Sequence, residues 1–271
     1  MMQRLTLEAD TSEKEAILFW VLDHYFDLSR TEIMAGKEID ADQKLIDDII
    51  VRLNNNEPVQ YILGITEFYG RDFIVGPGVL IPRPETELLI KTIVDRFKNK
   101  PQNLRILDIG TGNGCIAISL ALELPGSKVI ATDKSDEALK IARKNADQLK
   151  ASIEFHRHDI LEVDLTFDPL DIVVSNPPYV MEKEKISMER NVLDFEPSMA
   201  LFVPDNDPLL FYKAIARKAI KSLHPGGFLI TEINEQLGND TAVLFQKHGF
   251  ADVQIIKDLE ARDRFVYGSK A

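Results

Sequence analysis

The side chains of the tetrapeptide Asn176-Pro177-Pro178-Tyr179 suit the binding of a planar amino group. The tetrapeptide follows the apolar, β-branched residues 170–175, which predict a buried strand that leaves its sheet at Asn176. Each proline fixes its φ angle at about −65° and lacks an N–H, so we expect the Asn176 side-chain oxygen and the Pro177 carbonyl to point together into a cleft. Two acceptors and the aromatic face of Tyr179 suit a conjugated –NH2 group, whose delocalised lone pair makes it a poor nucleophile. An ordinary Asn-Pro turn after a strand is the structural alternative.

A glycine-rich turn lies earlier in the chain, between a predicted strand at residues 104–109 and a predicted helix at residues 115–121. Its spacing is G-x-G-x-G, which differs from the G-x-G-x-x-G spacing of dinucleotide sites. The carboxylate two residues before the first glycine would repel a phosphate group but could attract an ammonium group. The candidate cofactor-binding residues of this turn are Asp108, Ile109, Gly110, Thr111 and Gly112.

Acidic residues also follow the next two predicted strands, at residues 128–132 and 153–157. Asp133 stands 23 residues after the first glycine of the turn, where an acid can accept hydrogen bonds from both hydroxyls of a ribose. Asp159 and Ile160 are placed to meet an adenine amine and ring. The alternative is that Asp133 and Asp159 each cap the helix that follows. The three strand ends would thus bind an amino acid group, a ribose and an adenine in turn. These are the parts of S-adenosylmethionine (SAM), which fits this order better than NAD does. Asn176 is also among the predicted cofactor-binding residues. With Asn176 beside this cofactor, the motifs predict amino-group methylation.

Several further segments resemble a known family. They are EPVQYILG (57–64), EFYG (67–70), PGVLIPRPETE (77–87), the loop at 108–114, the tetrapeptide at 176–179, FEP (195–197) and DRFV (263–266). In these segments the chain is similar to the PrmC (HemK) family, the glutamine-N5 methyltransferases of peptide chain release factors. It departs from the family pattern at residues 202–207, 232–236 and 260–261, and these departures concern loops on the substrate side.

The resemblance implies that SAM is the cofactor, that a release factor is the protein substrate, and that the modified glutamine lies in a Gly-Gly-Gln tripeptide. It also places Arg83 and Glu85 in a family-specific segment that we expect to shape the peptide pocket, with a salt bridge or a helix cap as the alternative. The predicted catalytic residues are Asn176, Pro177 and Tyr179. The predicted substrate-binding residues are Asn176, Pro177, Pro178, Tyr179, Arg83 and Glu85.

The chain is acidic, with a formal net charge of −12 over 271 residues. Residues 1–72 hold 7 Lys or Arg and 15 Asp or Glu, which gives a net charge of −8. Sequence-independent nucleic-acid binding depends on clusters of Lys and Arg, which this sequence lacks, so we expect no direct nucleic-acid partner. An adenine or cytosine amino-methyltransferase acting on nucleic acid is the alternative function, because it would use the same Asn176 chemistry. A non-catalytic scaffold is the third hypothesis.

Composition also bears on location and metal binding. No apolar run is long enough to cross a bilayer and the N-terminus lacks a signal-peptide core, so we expect a cytoplasmic protein with no membrane partner. The single cysteine, Cys115, excludes an internal disulfide. The five histidines show no zinc-like spacing, so we predict no metal site.

The order of the predicted elements indicates an α/β fold. Capping-box patterns at Ser12 and Ser29 and the helical spacing of apolar residues 45–53 predict a small helical bundle over residues 1–65, which we expect to dock the release factor. A β-hairpin and linker are predicted at residues 66–84. Residues 85–271 alternate strands and helices, which predicts a Rossmann-like, class I SAM-dependent methyltransferase domain with a mostly parallel seven-stranded sheet and an antiparallel edge strand.

Overall fold

The computed structural model of the chain describes residues 1–7, 9–38, 42–99, 103–167 and 169–271. Its helices are α1 (Thr11–Phe26), α2 (Arg30–Met34), α3 (Gln43–Asn54), α4 (Val59–Leu63), α5 (Glu87–Phe97), α6 (Cys115–Glu123), α7 (Asp136–Leu149), α8 (Arg190–Phe195), α9 (Ser198–Leu201), α10 (Leu210–Ser222) and α11 (Gly238–Lys247). Its strands are β1 (Ile65–Phe68), β2 (Arg71–Ile74), β3 (Arg105–Ile109), β4 (Lys128–Asp133), β5 (Ile153–Arg157), β6 (Leu170–Ser175), β7 (Val180–Met181), β8 (Phe202–Val203), β9 (Leu223–Glu232), β10 (Phe250–Lys257) and β11 (Asp263–Lys270).

Three of the N-terminal helices, α1, α2 and α3, begin with a side chain that caps them by a hydrogen bond. The capping box predicted at Ser29 is confirmed, because the side chains of Ser29 and Glu32 each accept from the other residue's backbone N–H. The helix start predicted at Ser12 is wrong, since the side chain of Asp10 caps α1 by accepting from the backbone N–H of Glu13. Asp caps helices as well as Ser does, and Asp10 stands the same three residues before a Glu as Ser29 does.

The N-terminal helices enclose an apolar core of their own and are tied to the rest of the chain. Buried side chains of α1, α3 and α4 form this core, and they include Ile17, Leu18, Val21, Ile49, Leu53, Val59 and Ile62. The predicted hairpin is confirmed as the antiparallel pair β1 and β2, and it begins at Ile65. The Tyr61 hydroxyl of α4 donates to the carbonyl of Val79, so the helical bundle is hydrogen-bonded to the segment that precedes α5.

A seven-stranded sheet organises the remainder of the chain, in the order β10-β11-β9-β6-β3-β4-β5. The pairs among β9, β6, β3, β4 and β5 are parallel, whereas β11 runs antiparallel to both β9 and β10. This arrangement confirms the predicted fold class. Helices cover both faces, because Ile106 of β3 packs in a core with α5 and α6 while the next residue, Leu107, packs with α10 and α11.

The register of the central strands brings the predicted motifs to one edge of the sheet. Ile109 at the end of β3 pairs with Ser175 of β6 on one side and with Thr132 of β4 on the other. The glycine-rich turn follows β3, Asn176 follows β6, and Asp133 is the last residue of β4. In open α/β sheets, ligands bind outside the carboxyl ends of the strands.

Candidate active site

A cleft with an empty volume of about 1060 Å³ opens at this edge of the sheet. Its wall includes residues of the glycine-rich turn, the ends of β4 and β5, the tetrapeptide and the segment before α5. The residues that line the cleft include Arg83, Thr86, Ile109, Gly110, Thr111, Gly112, Asp133, Lys134, Asp159, Ile160, Asn176, Pro177 and Pro178. Clefts at this edge of an open α/β sheet are the usual place for small-molecule and cofactor sites.

The glycine-rich turn brings backbone to the cleft wall. Gly110 has a φ of +73° and Gly112 a φ of +58°, a region that residues with a Cβ rarely adopt. The N–H groups of Gly110 and Thr111 both donate to the carbonyl of Thr132 at the end of β4, at 2.8 and 2.9 Å. The turn therefore depends on glycine for its conformation and on the neighbouring strand for its position.

Asp108 lies directly behind this turn and does not line the cleft. It is fully buried; its Oδ2 accepts from the Thr111 hydroxyl at 2.6 Å, and its Oδ1 has no hydrogen-bond partner within the described parts of the chain. Burial raises the pKa of Asp108 to about 7, and the Thr111 hydrogen bond opposes that rise. A buried carboxylate with one unused oxygen, one residue behind the cleft wall, suits a cationic ligand.

Asp133 lies in the cleft wall and both of its oxygens accept backbone hydrogen bonds. Oδ2 accepts from the Gly112 N–H at 2.9 Å and Oδ1 accepts from the Ser135 N–H at 2.8 Å. The helix cap of α7 is Ser135, whose hydroxyl accepts from the Ala138 N–H, so Asp133 is not itself that cap. Each carboxylate oxygen keeps a further lone pair for a ligand. Burial raises the pKa of Asp133.

Asp159 and Ile160 lie in the cleft wall after β5. Asp159 accepts from the Leu161 N–H at 2.9 Å, and its other oxygen lies 3.7 Å from the Lys134 ammonium. The ammonium of buried Lys218 on α10 donates to the Ile160 carbonyl at 2.6 Å. Burial lowers the pKa of Lys218. The loop that holds Asp159 and Ile160 is therefore fixed by the Lys218 side chain of α10.

Asn176, Pro177 and Pro178 all lie in the cleft wall, as the sequence predicts for a polar turn after β6. The Asn176 Nδ2 donates to the Thr86 hydroxyl at 3.3 Å. Among the residues that the structure describes, none donates to the Asn176 Oδ1. This oxygen is therefore free to accept a hydrogen bond from a ligand.

Tyr179 supports the cleft but is not part of its wall. Its hydroxyl donates to the Glu232 Oε1 at 3.1 Å, and its backbone N–H donates to the Leu201 carbonyl at 3.2 Å. Burial raises the pKa of the Tyr179 hydroxyl. The predicted stacking of this ring on a ligand stays a prediction, whereas its hydrogen bonds tie the tetrapeptide to two other segments.

Arg83 lies in the wall and Glu85 does not. The Arg83 guanidinium binds the Glu196 Oε1 at 2.6 Å, and the Glu196 Oε2 accepts from the Ile81 N–H at 3.1 Å. The Glu196 side chain is 1% exposed, so this ion pair joins two segments of the wall below the surface. The alternative that Arg83 forms a salt bridge is therefore realised, and the guanidinium still borders the cleft.

The sequence motifs do not identify three residues that support the site: Thr86, Glu196 and Glu232. Thr86 and Glu196 stand inside segments that resemble the family, but neither carries a local signal of its role. Glu232 ends a buried strand, and an acid at the carboxyl end of such a strand is the signal that could have marked it.

The described residues were also compared with what a metal site and a membrane span require. Within the described ranges, no three His, Cys, Asp or Glu side chains are grouped so that they could hold a metal ion. In the same part of the chain, no helix has both the length and the apolar character to span a membrane.

Comparison with known proteins gives two matches to protein families and several close relatives. Residues 3–64 match the family described as PrmC N-terminal domain, and residues 84–194 match the family described as Methyltransferase small domain. A release factor glutamine methyltransferase of Bacteroides thetaiotaomicron is 50% identical over 88% of this chain and 86% of its own length. Its counterpart in Flavobacterium psychrophilum is 41% identical over 97% of this chain and 94% of its own length.

A solved methyltransferase structure from Pyrococcus furiosus shares the fold, with a TM-score of 0.53 and 19% identity over 82% of this chain and 97% of that chain. At this identity the likeness concerns the fold alone. The sequence relatives are much closer and span nearly all of the chain. The chain therefore belongs to the PrmC (HemK) family of release factor glutamine methyltransferases.

Proposed function

We propose that this protein transfers a methyl group from SAM to the side-chain amide nitrogen of a glutamine in a peptide chain release factor. The observation that carries the proposal is the free Oδ1 of Asn176 in a cleft that also presents Asp133 and Asp159. Methylation at N5 of the glutamine in a Gly-Gly-Gln tripeptide follows from family membership. A cytoplasmic location follows from the proposed substrate, because release factors act in translation.

The donor set of the cleft fits SAM in three places. The unused Oδ1 of Asp108 behind the glycine turn suits the ammonium group, and the free lone pairs of Asp133 suit two ribose hydroxyls. Asp159 and the backbone at Ile160 suit the adenine amine and ring edge. When bound, SAM supplies a methyl group that is already activated by a positively charged sulfur.

The task of the protein side chains is then to position a weakly nucleophilic amide. Asn176 Oδ1 and the Pro177 carbonyl accept the two hydrogens of the substrate –NH2 group and thereby orient its lone pair toward the cofactor side of the cleft. Hydrogen bonds that accept both hydrogens also raise the electron density on that nitrogen. After the nitrogen gains the methyl group it becomes strongly acidic and gives one of its two protons to solvent. Arg83, held by Glu196, borders the path of the substrate peptide.

One assay tests this function against its alternatives. The protein is incubated with labelled SAM and with purified release factor, DNA or RNA, and any added mass is mapped to a residue. We expect label on a release-factor glutamine. Label on an adenine or cytosine amine would support the nucleic-acid alternative, and no transfer with intact SAM binding would support the scaffold.

The affinity for SAM is expected to rise with pH through about 7. Because the folded-state pKa of Asp108 is raised to about 7, this carboxyl is protonated below that pH and ionised above it. A cationic ligand binds the ionised form better, so affinity should rise roughly tenfold from pH 6 to pH 8, with proton release on binding near pH 6.5. Calorimetry in two buffers with different ionisation enthalpies measures that release.

Asp108→Asn is the matched variant for this experiment. It keeps the size of the side chain but cannot titrate, so its SAM affinity should be weaker at pH 8 and should not vary between pH 6 and pH 8 through this group. Proton release that is unchanged in Asp108→Asn would mean that another group is responsible.

The bundle over residues 1–65 is proposed as a docking surface for the release factor. Trp20 on α1 is 52% exposed and lines a shallow groove with Phe19, Glu15 and Asp23. Residues 1–72 carry a net charge of −8, so this surface favours a partner region rich in Lys and Arg. Arg30 also lines this groove, and an exposed Trp is a typical anchor of a protein interface.

Trp20→Ala is expected to raise KM for an intact release factor about tenfold while leaving the rate on a short Gly-Gly-Gln peptide unchanged. The physical reason is that a short peptide reaches the cleft without touching α1. Val243→Ala, which truncates a 46% exposed side chain on α11 outside the bundle, is the control and should change neither quantity. An equal loss on protein and peptide would contradict docking at Trp20.

A further inference from the structure

A buried carboxylate, Glu232, lies behind the cleft at the end of β9 and connects two elements of the candidate active site. It is 1% exposed. Its Oε2 accepts from the Thr86 hydroxyl at 2.7 Å, and its Oε1 accepts from the Tyr179 hydroxyl at 3.1 Å. Thr86, itself 2% exposed, in turn accepts from the Asn176 Nδ2 at 3.3 Å. Neither Glu232 nor Thr86 is among the site residues that the sequence predicts.

The number of available hydroxyl protons determines which group donates in each of these hydrogen bonds. An ionised carboxylate can only accept, so both hydroxyls must give it their single protons. Thr86 then has no proton left for Asn176 and can only accept a hydrogen bond from it. The Asn176 amide must therefore turn Nδ2 toward Thr86, which leaves Oδ1 toward the cleft. If Thr86 kept its proton, either orientation of the amide would be allowed.

We propose that Glu232 is a positioning residue that, through Thr86, holds the Asn176 amide with its oxygen toward the substrate. The inference rests on the proposed function in one respect, since it takes the group that meets Oδ1 to be the substrate –NH2. With the amide reversed, two –NH2 groups would face each other and no hydrogen bond would form. Glu232 thus acts on the reaction without touching the reacting atoms.

The surroundings of Glu232 bear on its charge state. Burial raises the pKa of Glu232, and the nearby Glu85 adds to that rise. The hydrogen bonds from Thr86 and Tyr179 and the positive charge of Arg264 on β11 oppose it. Two hydroxyl donors and a cation around one carboxylate are the arrangement that an ionised acid requires.

Variants of Thr86 test the link while leaving the carboxylate in place. Thr86→Val keeps the shape but removes the acceptor, and we expect it to lower kcat by about 30-fold or more, with KM for SAM within about threefold of wild type. Thr86→Ser restores a hydroxyl and should recover kcat at least about tenfold over the Val variant. Thr92→Val on α5, whose hydroxyl donates to the Leu88 carbonyl of the same helix, controls for the loss of a threonine hydroxyl. Wild-type kcat in Thr86→Val would overturn the proposal.

Glu232→Gln tests the carboxylate itself. A glutamine has one donor and one acceptor here, so it either leaves the Tyr179 proton without an acceptor or donates to Thr86 and lets Asn176 reverse. We expect kcat to fall about tenfold or more with SAM affinity retained. Should this variant not fold, the Thr86 pair decides the question.

A second measurement does not depend on activity. In the cofactor-free protein, the Asn176 side-chain –NH2, assigned by its loss in Asn176→Ala, should exchange with solvent about tenfold faster in Thr86→Val than in wild type. The reason is that its Nδ2 is no longer held away from the cleft. Equal exchange in the two proteins would overturn the proposal even if the enzyme methylates glutamine. Faster exchange would support it even if release factor proved not to be the substrate.

Discussion

Asn176→Ala is expected to lower kcat for release-factor methylation by about 10³-fold while changing SAM affinity by no more than about threefold. The variant removes the Asn176 side-chain oxygen from the cleft wall, and the partner proposed for that oxygen is the substrate amide. The amide nitrogen then lacks the acceptor that orients its lone pair. Single-turnover rates and calorimetric titration with SAM measure the two quantities separately.

Asn239→Ala is the matched control for this variant. Asn239 is exposed on α11 and is not part of the cleft wall, so its truncation should leave both quantities unchanged. Normal turnover by Asn176→Ala would remove the role assigned to its oxygen. A parallel loss of SAM affinity would instead make Asn176 chiefly a cofactor-binding residue.

Asp133→Ala is expected to weaken SAM binding by about 100-fold or more, because two hydrogen bonds to a charged acceptor contribute roughly 3 kcal/mol together. The variant also releases the Gly112 N–H, which Asp133 holds at 2.9 Å, so the glycine-rich turn loses a support as well. We therefore expect a higher Kd for SAM and a lower Tm of the cofactor-free protein. Titration calorimetry and thermal unfolding measure these effects.

The neighbouring Asp136 provides a control of equal charge. Its side chain is 64% exposed in the first turn of α7 and lies outside the cleft wall. Asp136→Ala removes one negative charge a few residues away, so it should leave the Kd for SAM within about twofold of wild type. If the two variants weaken SAM binding equally, the effect of Asp133 is one of general charge and not of ribose recognition.

The two halves of the site are supported in different ways. Asp133 and Asp159 are held by backbone N–H groups within two residues, or from the adjoining turn. Asn176 and Arg83 are instead held by the side chains of Thr86 and Glu196, which come from distant parts of the chain. Substitutions of Thr86 and Glu196 should therefore affect substrate positioning more than cofactor binding.

The sequence alone was sufficient for the fold class, and most of the site residues that it singled out lie in the cleft wall. Apolar runs each ended in a glycine turn, an acid or the Asn-Pro pair, and parallel strands necessarily bring such ends to one edge of a sheet. This local rule placed Gly110, Gly112, Asp133, Ile160 and Asn176 correctly at the cleft. The helix cap at Asp10 was missed because two residues with similar capping ability stand close together.

Only the tertiary structure decided which side chains support the site. Thr86 and Glu232 are 146 residues apart in sequence, and Arg83 and Glu196 are 113 apart. Their contacts arise from the packing of separate elements on the sheet, and no periodicity or local motif encodes such a pairing. The same applies to Tyr179, whose hydroxyl turns to Glu232 because a buried hydroxyl requires a partner. The sequence determined the edge of the sheet where the site forms, whereas long-range packing determined the orientation of the groups within it.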